Sequence, residues 1–171
     1  MSEENVEMVR RSYAAYNAAV SAPNPREAIR AWLERYSDPE IEWELDPIAV
    51  ERHIYHGIDG VMEFFEMILD AFEQVRQVPE RFIDCGDQVL VFVRTEARGR
   101  TAGLDINEEW AYLGTVRDGK SLRVQQFRDH DDPRRGGDHP DLRSAVQVVA
   151  RSARPQGARR PRWVIALSGA P

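Results

Sequence analysis

The apolar residues of this chain first change their repeat near Ile41, and that change limits the folds open to it. Before it, Val6, Val9, Tyr13, Tyr16 and Val20 recur every three or four residues. Ile29, Trp32, Leu33 and Tyr36 do the same after the breaker Ser21-Ala22-Pro23-Asn24-Pro25. Each set is one stripe of an amphipathic helix, and the second helix has Asn24 as its cap and Pro25 at its first position. From Ile41 the repeat is two: Ile41, Trp43 and Leu45 share one face, Glu42, Glu44 and Asp46 the other. That pattern is a strand with carboxylates in line. After a loop holding His53, Tyr55 and His56, a third helix starts near Asp59 and turns Val61, Phe64, Phe65, Ile68 and Phe72 to the core. Strands follow over residues 81–84, 88–98, 105–117 and 121–129, separated by Cys85-Gly86-Asp87, a looser glycine-containing loop and Arg117-Asp118-Gly119-Lys120.

Helices segregated from an antiparallel sheet define an α+β domain. The expected architecture is a cone: three helices from the N-terminal part of the chain, packed on a curved, mainly antiparallel sheet. Such a cone leaves a hollow whose mouth can hold a small ligand.

Charge divides the chain in two. Residues 133–171 hold eight arginines and two aspartates, so the first 132 residues keep 15 of the 23 basic groups and 27 of the 29 acidic ones. An acidic body argues against nucleic acid as a partner, although the arginine-rich tail alone could neutralise phosphates. That tail also carries five of the ten prolines and one aromatic residue, Trp163, too little apolar density for a core of its own. The domain is therefore expected over 1–130, with 131–171 as a flexible Arg/Pro-rich tail in which 142–150 has the pattern of a short helix. At 171 residues and 42% apolar content the chain can build a core without staples. Cys85 is the single cysteine and has no internal partner. The longest apolar runs, Val89 to Val93 and Trp163 to Leu167, are too short for a membrane span. With an acidic rather than basic start, the default location is cytoplasmic.

Four segments together carry a family likeness: Val9-Arg10-Arg11-Ser12-Tyr13-Ala14-Ala15-Tyr16-Asn17, Ser37-Asp38-Pro39-Glu40-Ile41-Glu42-Trp43, His56-Gly57-Ile58-Asp59-Gly60-Val61-Met62-Glu63-Phe64-Phe65 and Thr115-Val116-Arg117-Asp118-Gly119-Lys120. In order and spacing the chain resembles the SnoaL-like branch of the nuclear transport factor 2-like superfamily over roughly residues 3–130. The resemblance implies the cystatin-like α+β roll, a homodimer, and a pocket used across the superfamily for isomerisation, polyketide cyclisation, dehydration, epoxide hydrolysis or binding alone.

Several residues are candidates for chemistry in that pocket. By the resemblance, either Glu44 or Asp46 stands where isomerase relatives keep a general base. A carboxylate on that face, if it looked into an apolar hollow, would have its pKa raised by desolvation toward the range useful for proton abstraction. With Trp43 on the other face of the strand, alternation equally allows the acids to face solvent. A base of this kind needs a partner that stabilises an oxyanion. Tyr112 can donate such a hydrogen bond, as can Tyr13 and Tyr16, while Ser12 occupies the position of the relatives' tyrosine. Trp32, Trp43, Phe92 and Trp110 are candidate apolar walls, His56 a rim residue, and Arg94 an inward-capable cation. Arg94 and Arg128 with Glu44 or Asp46 offer a fainter hydrolase-like set. His53 and His56 beside Glu51 lack a third histidine, and neither metal nor cofactor is expected.

Three functional readings remain open on the sequence. The first is a pocket for a small apolar molecule with no defined activity. The second is a cofactor-independent isomerase, cyclase or dehydratase using a strand carboxylate, and the third is a non-catalytic homodimeric interaction module.

Overall fold

The computed structural model describes residues 2–45, 53–100, 103 and 105–128. In chain order the elements are α1 (Ser2–Val20), α2 (Pro25–Tyr36), β1 (Ser37–Leu45), β2 (His53–His56), α3 (Gly57–Ala71), β3 (Phe72–Asp84), β4 (Gln88–Gly99), β5 (Asp105–Arg117) and β6 (Lys120–Arg128). The strands form one curved sheet in the order β2-β1-β6-β5-β4-β3. The β1–β2, β3–β4 and β4–β5 pairs are antiparallel, whereas β1 runs parallel to β6. Two units divide the chain, Met1–Phe127 and Arg128–Pro171. All the elements lie in the first unit except the last residue of β6. The expected tail, its helix at 142–150 and Asp46 fall outside the described residues.

Helix α2 begins at Pro25 as its sequence predicts, but Asn24 does not cap it through a side-chain acceptor. Its Nδ2 instead donates to the Glu27 carboxylate at 2.8 Å. The β5–β6 turn has positive φ at both Asp118 (51°) and Gly119 (73°). Both central residues of a tight hairpin need that conformation, and Asp-Gly supplies it at low cost.

Two stretches differ from expectation. Residues 53–56 form strand β2 rather than a loop, pairing Tyr55 with Trp43 and Ile54 with Glu44. Four residues are too few to show a period, so the pairing with β1 decides their conformation. The sheet therefore has six strands where five were expected. Strand β3 begins at Phe72, nine residues before the expected Arg81, and Phe72 itself is in the strand rather than in α3. β3 is an edge strand, which can be polar and can carry Pro79, here next to a shift in register.

The core lies between the helices and one face of the sheet. Ile29, Leu33, Ile41, Val61, Phe65, Val89, Val91 and Val93 are all buried there. At about 25 cal/mol per Å² of apolar surface, each such side chain contributes roughly 1.5–3 kcal/mol. α1 packs on β3 and β4, and α3 on β1 and β2. Arg26 bonds Asp70 at 2.7 Å and Arg30 bonds Asp59 at 2.9 Å, tying α2 to α3 on the outside. No helix among the described residues is long and apolar enough to cross a membrane.

Candidate functional site

A cavity of about 60 Å³ opens between the helices and the sheet. At about 10–15 Å³ per water centre it holds on the order of five waters, so it suits a compact ligand. One turn-spaced face of α1 supplies Val9, Ser12, Tyr13 and Tyr16. Period-two alternation brings in Val89 and Val91 from β4 and Tyr112 and Gly114 from β5. Trp32, Trp43, Phe65 and Gln77 complete the main walls, with Ser37, Ser121 and Val124 beside them.

The aromatic walls hold one another. Trp32 lies with its ring centre 5.1 Å from Tyr16 and 5.3 Å from Phe65, and Trp43 lies 5.3 Å from Phe65 and 6.3 Å from Tyr112. Tilted and edge-on pairs of this kind contribute about 0.5–1.5 kcal/mol each beyond area burial. The Trp32 indole N–H is shared between the Ser12 carbonyl at 3.0 Å and its hydroxyl at 3.1 Å, which joins α2 to α1. Trp43 Nε1 is buried without a hydrogen-bond partner. An unmade bond of that sort costs about 1–3 kcal/mol.

Polar groups in the cavity are neutral and positioned. Asn17 on α1 treats the edge of β3 as a strand partner would: its Nδ2 donates to the Gln77 carbonyl at 2.7 Å, and its Oδ1 accepts the Gln77 N–H at 2.9 Å. The Gln77 side chain in turn donates to the Tyr112 hydroxyl at 3.4 Å. Burial pushes the phenols of Tyr13, Tyr16 and Tyr112 well above the usual tyrosine range, and at Tyr13 and Tyr112 the neighbouring phenols add to the effect. They therefore stay protonated throughout the neutral range. Among the described lining residues there is no Asp, Glu, His, Lys or Arg.

Of the residues expected here, Tyr13, Tyr16, Trp32, Trp43 and Tyr112 meet at the cavity. Trp110 shares the sheet face of Tyr112 and packs on the core beside it without lining the cavity. The remaining placements correct the expectation. Val91 pairs with Tyr112 and Val93 with Trp110 on the cavity side, so alternation sends Phe92 and Arg94 to the opposite face. There the Arg81 guanidinium lies over the Phe92 ring at 5.3 Å, and Arg94 is ion-paired with Glu80 at 3.0 Å and with Glu96. His56 is exposed at the end of β2, its Nδ1 3.6 Å from the Glu42 carboxylate.

Glu44 also leaves the cavity, because Trp43 takes the inward place on β1. It is fully buried on the other face, where its Oε2 accepts from Arg123 Nη2 at 2.7 Å and from Gln125 Nε2 at 2.9 Å. Neither Asp46 nor the Arg128 side chain falls among the described residues. Sequence reading missed several lining residues, among them Val9, Phe65, Val89, Val91 and the polar Gln77. Gln77 lies in the polar edge strand, where no apolar period marks a face.

The chain belongs to the SnoaL-like domain family, which it matches over residues 9–124. Among solved structures it is similar to TerC co-crystallized with polyporic acid, at 25% identity and a TM-score of 0.58, covering 74% of this chain and 92% of that one. A putative SnoaL-like polyketide cyclase from Jannaschia shares 19% identity at a TM-score of 0.61, over 90% of this chain and 94% of its own. An NTF2-like protein of unknown function from Burkholderia pseudomallei shares 18% at 0.59, over 74% and 91%. Among curated proteins, none matches.

Proposed function

We propose that this SnoaL-like domain uses its cone, over residues 1–130, to bind a small, largely apolar and uncharged molecule in the cavity between α1 and the sheet. The observation that carries the reading is the lining itself, made mostly of valines, aromatic rings and phenols with a few neutral polar groups, and with no charged side chain among the described residues. Such a surface favours apolar matter and penalises ions, which would lose water and gain no counter-charge. Similarity to TerC, described with polyporic acid, supports small-molecule binding. A cytoplasmic setting is proposed with it, and homodimerisation on the family resemblance.

The acid-base reading lacks a base at the described lining, since Glu44 is committed to Arg123 and Gln125 on the other face. It now depends on Asp46. Titrating small cyclic and aromatic molecules against the full chain, with the indole N–H signals of Trp32 and Trp43 followed by NMR, tests the binding proposal. Saturable shifts at both signals are expected. If no uncharged molecule of this size moves them, the reading fails.

A further inference from the structure

We propose that one end of the cavity, built by Ser37 of β1, Ser121 of β6 and Gly114 of β5, is a subsite for a hydroxyl group carried on the ligand's apolar body. This rests on the small-molecule reading of the cavity and narrows it to compact alcohols.

Strand register brings the two serines together. Ser37 and Ser121 are partners across the parallel β1–β6 pair, and both line the cavity. Partnered residues on neighbouring strands stand about 4.8 Å apart, and their side chains leave on the same face. Ser37 is 4% exposed, and its backbone N–H closes α2 by donating to the Leu33 carbonyl. Its hydroxyl takes no part in that cap, and among the described residues neither serine hydroxyl has a hydrogen-bond partner. Ser12, a third serine of the lining, differs because its hydroxyl oxygen already receives the Trp32 indole N–H at 3.1 Å. A buried hydroxyl left without a partner is costly. An oxygen set between Ser37 and Ser121 reaches both, and a ligand hydroxyl matches the pair, accepting from one serine and donating to the other.

Gly114 keeps room beside them. The Asp118-Gly119 hairpin brings Gly114 and Ser121 to the same end of the sheet. Glycine inside a strand weakens it and marks a place that something approaches closely. Gly114 has no positive φ, and among the described residues a Cβ there would meet only the Val89 carbonyl oxygen, at 3.9 Å. Neither backbone conformation nor a close neighbour calls for glycine, so the missing side chain leaves cavity space at the serine pair.

Cyclohexanol and methylcyclohexane test this, because they differ only in OH against CH3 and have almost the same shape. With the full chain, calorimetric or NMR titration should show that Ser37→Ala and Ser121→Ala together weaken the alcohol about tenfold or more, since its buried hydroxyl loses both partners. Affinity for the hydrocarbon should not change, and general structural damage would weaken both ligands without altering their ratio. Gly114→Ala, whose added methyl meets nothing closer than ordinary contact, should keep the fold and weaken both ligands. An unchanged ratio in the double serine variant overturns the hydroxyl subsite while small-molecule binding stands. So does wild-type affinity for both ligands in Gly114→Ala, or wild-type binding of the hydrocarbon without the alcohol. If neither compound binds the wild type, both proposals fall.

Discussion

On the helix-covered face of the sheet, Trp43, Val89, Val91 and Tyr112 surround a cavity with no charged side chain among its described lining residues. On the opposite face, Glu44 is bound to Arg123, Arg94 to Glu80 and Glu96, and Glu42 lies 3.9 Å from Arg123 and 3.6 Å from His56. The two chemistries are one residue apart along the same strands. Strand β1 is the clearest case, because it lies between β2 and β6 and buries both Trp43 and Glu44. A side chain buried on the outer face must satisfy its charge there, and a slip of one residue would exchange the two surfaces. Nearness in sequence to cavity residues is thus poor evidence that a carboxylate acts in the cavity.

The largest expected effect comes from breaking that separation. Val91→Asp would set an unpaired carboxylate among the phenols, where Val91 is 2% exposed. It should cost about 3–5 kcal/mol of stability in urea denaturation, the range for an uncompensated buried charge. A neutral result would mean that the cavity already holds a polar, wet environment.

A smaller change sharpens the comparison from the other side. Glu44→Gln keeps the shape but removes the charge facing Arg123, and should cost about 1–3 kcal/mol. Affinity for a cavity ligand should not change. A large loss of binding or turnover in this variant, with folding intact, would return Glu44 to the functional site.

The smallest effect concerns pH. Ligand affinity should be flat from about pH 6 to about pH 9, since the phenols are the titrating groups at the described lining and burial raises their pKa values. In the unfolded chain they ionise near pH 10. Above that pH the unfolded state sheds protons that the native state retains, so these phenols make stability fall as pH rises from about 10 toward their raised native values. Native-state tyrosinate absorbance should therefore lag behind that of the unfolded protein. Matching titration curves would contradict the burial of these hydroxyls.

Much of the fold was legible because long amphipathic elements advertise their period. The stripes Val9-Tyr13-Tyr16 and Ile29-Leu33 marked α1 and α2, and Asp118-Gly119 marked the last hairpin. Strand β2 and the first half of β3 were not legible. His53–His56 is too short to show a period, and Phe72–Glu80 sits at a sheet edge with little need of an apolar face. The site was half legible for a related reason. Aromatic residues on core stripes, such as Tyr13, Tyr16, Trp32 and Trp43, had few other places to go. Phe92 and Arg94 were misplaced because alternation tells which residues share a face but not which face meets the helices.

The sequence alone therefore determined most of the elements, their order and the sets of residues that travel together, since local periodicity and turn chemistry act within a few residues. Only the tertiary structure decided that Trp43 rather than Glu44 enters the cavity, and that Asn17 and Gln77 bear on Tyr112. Those outcomes depend on register between strands and on contacts spanning 35 to 81 residues. No local pattern encodes them.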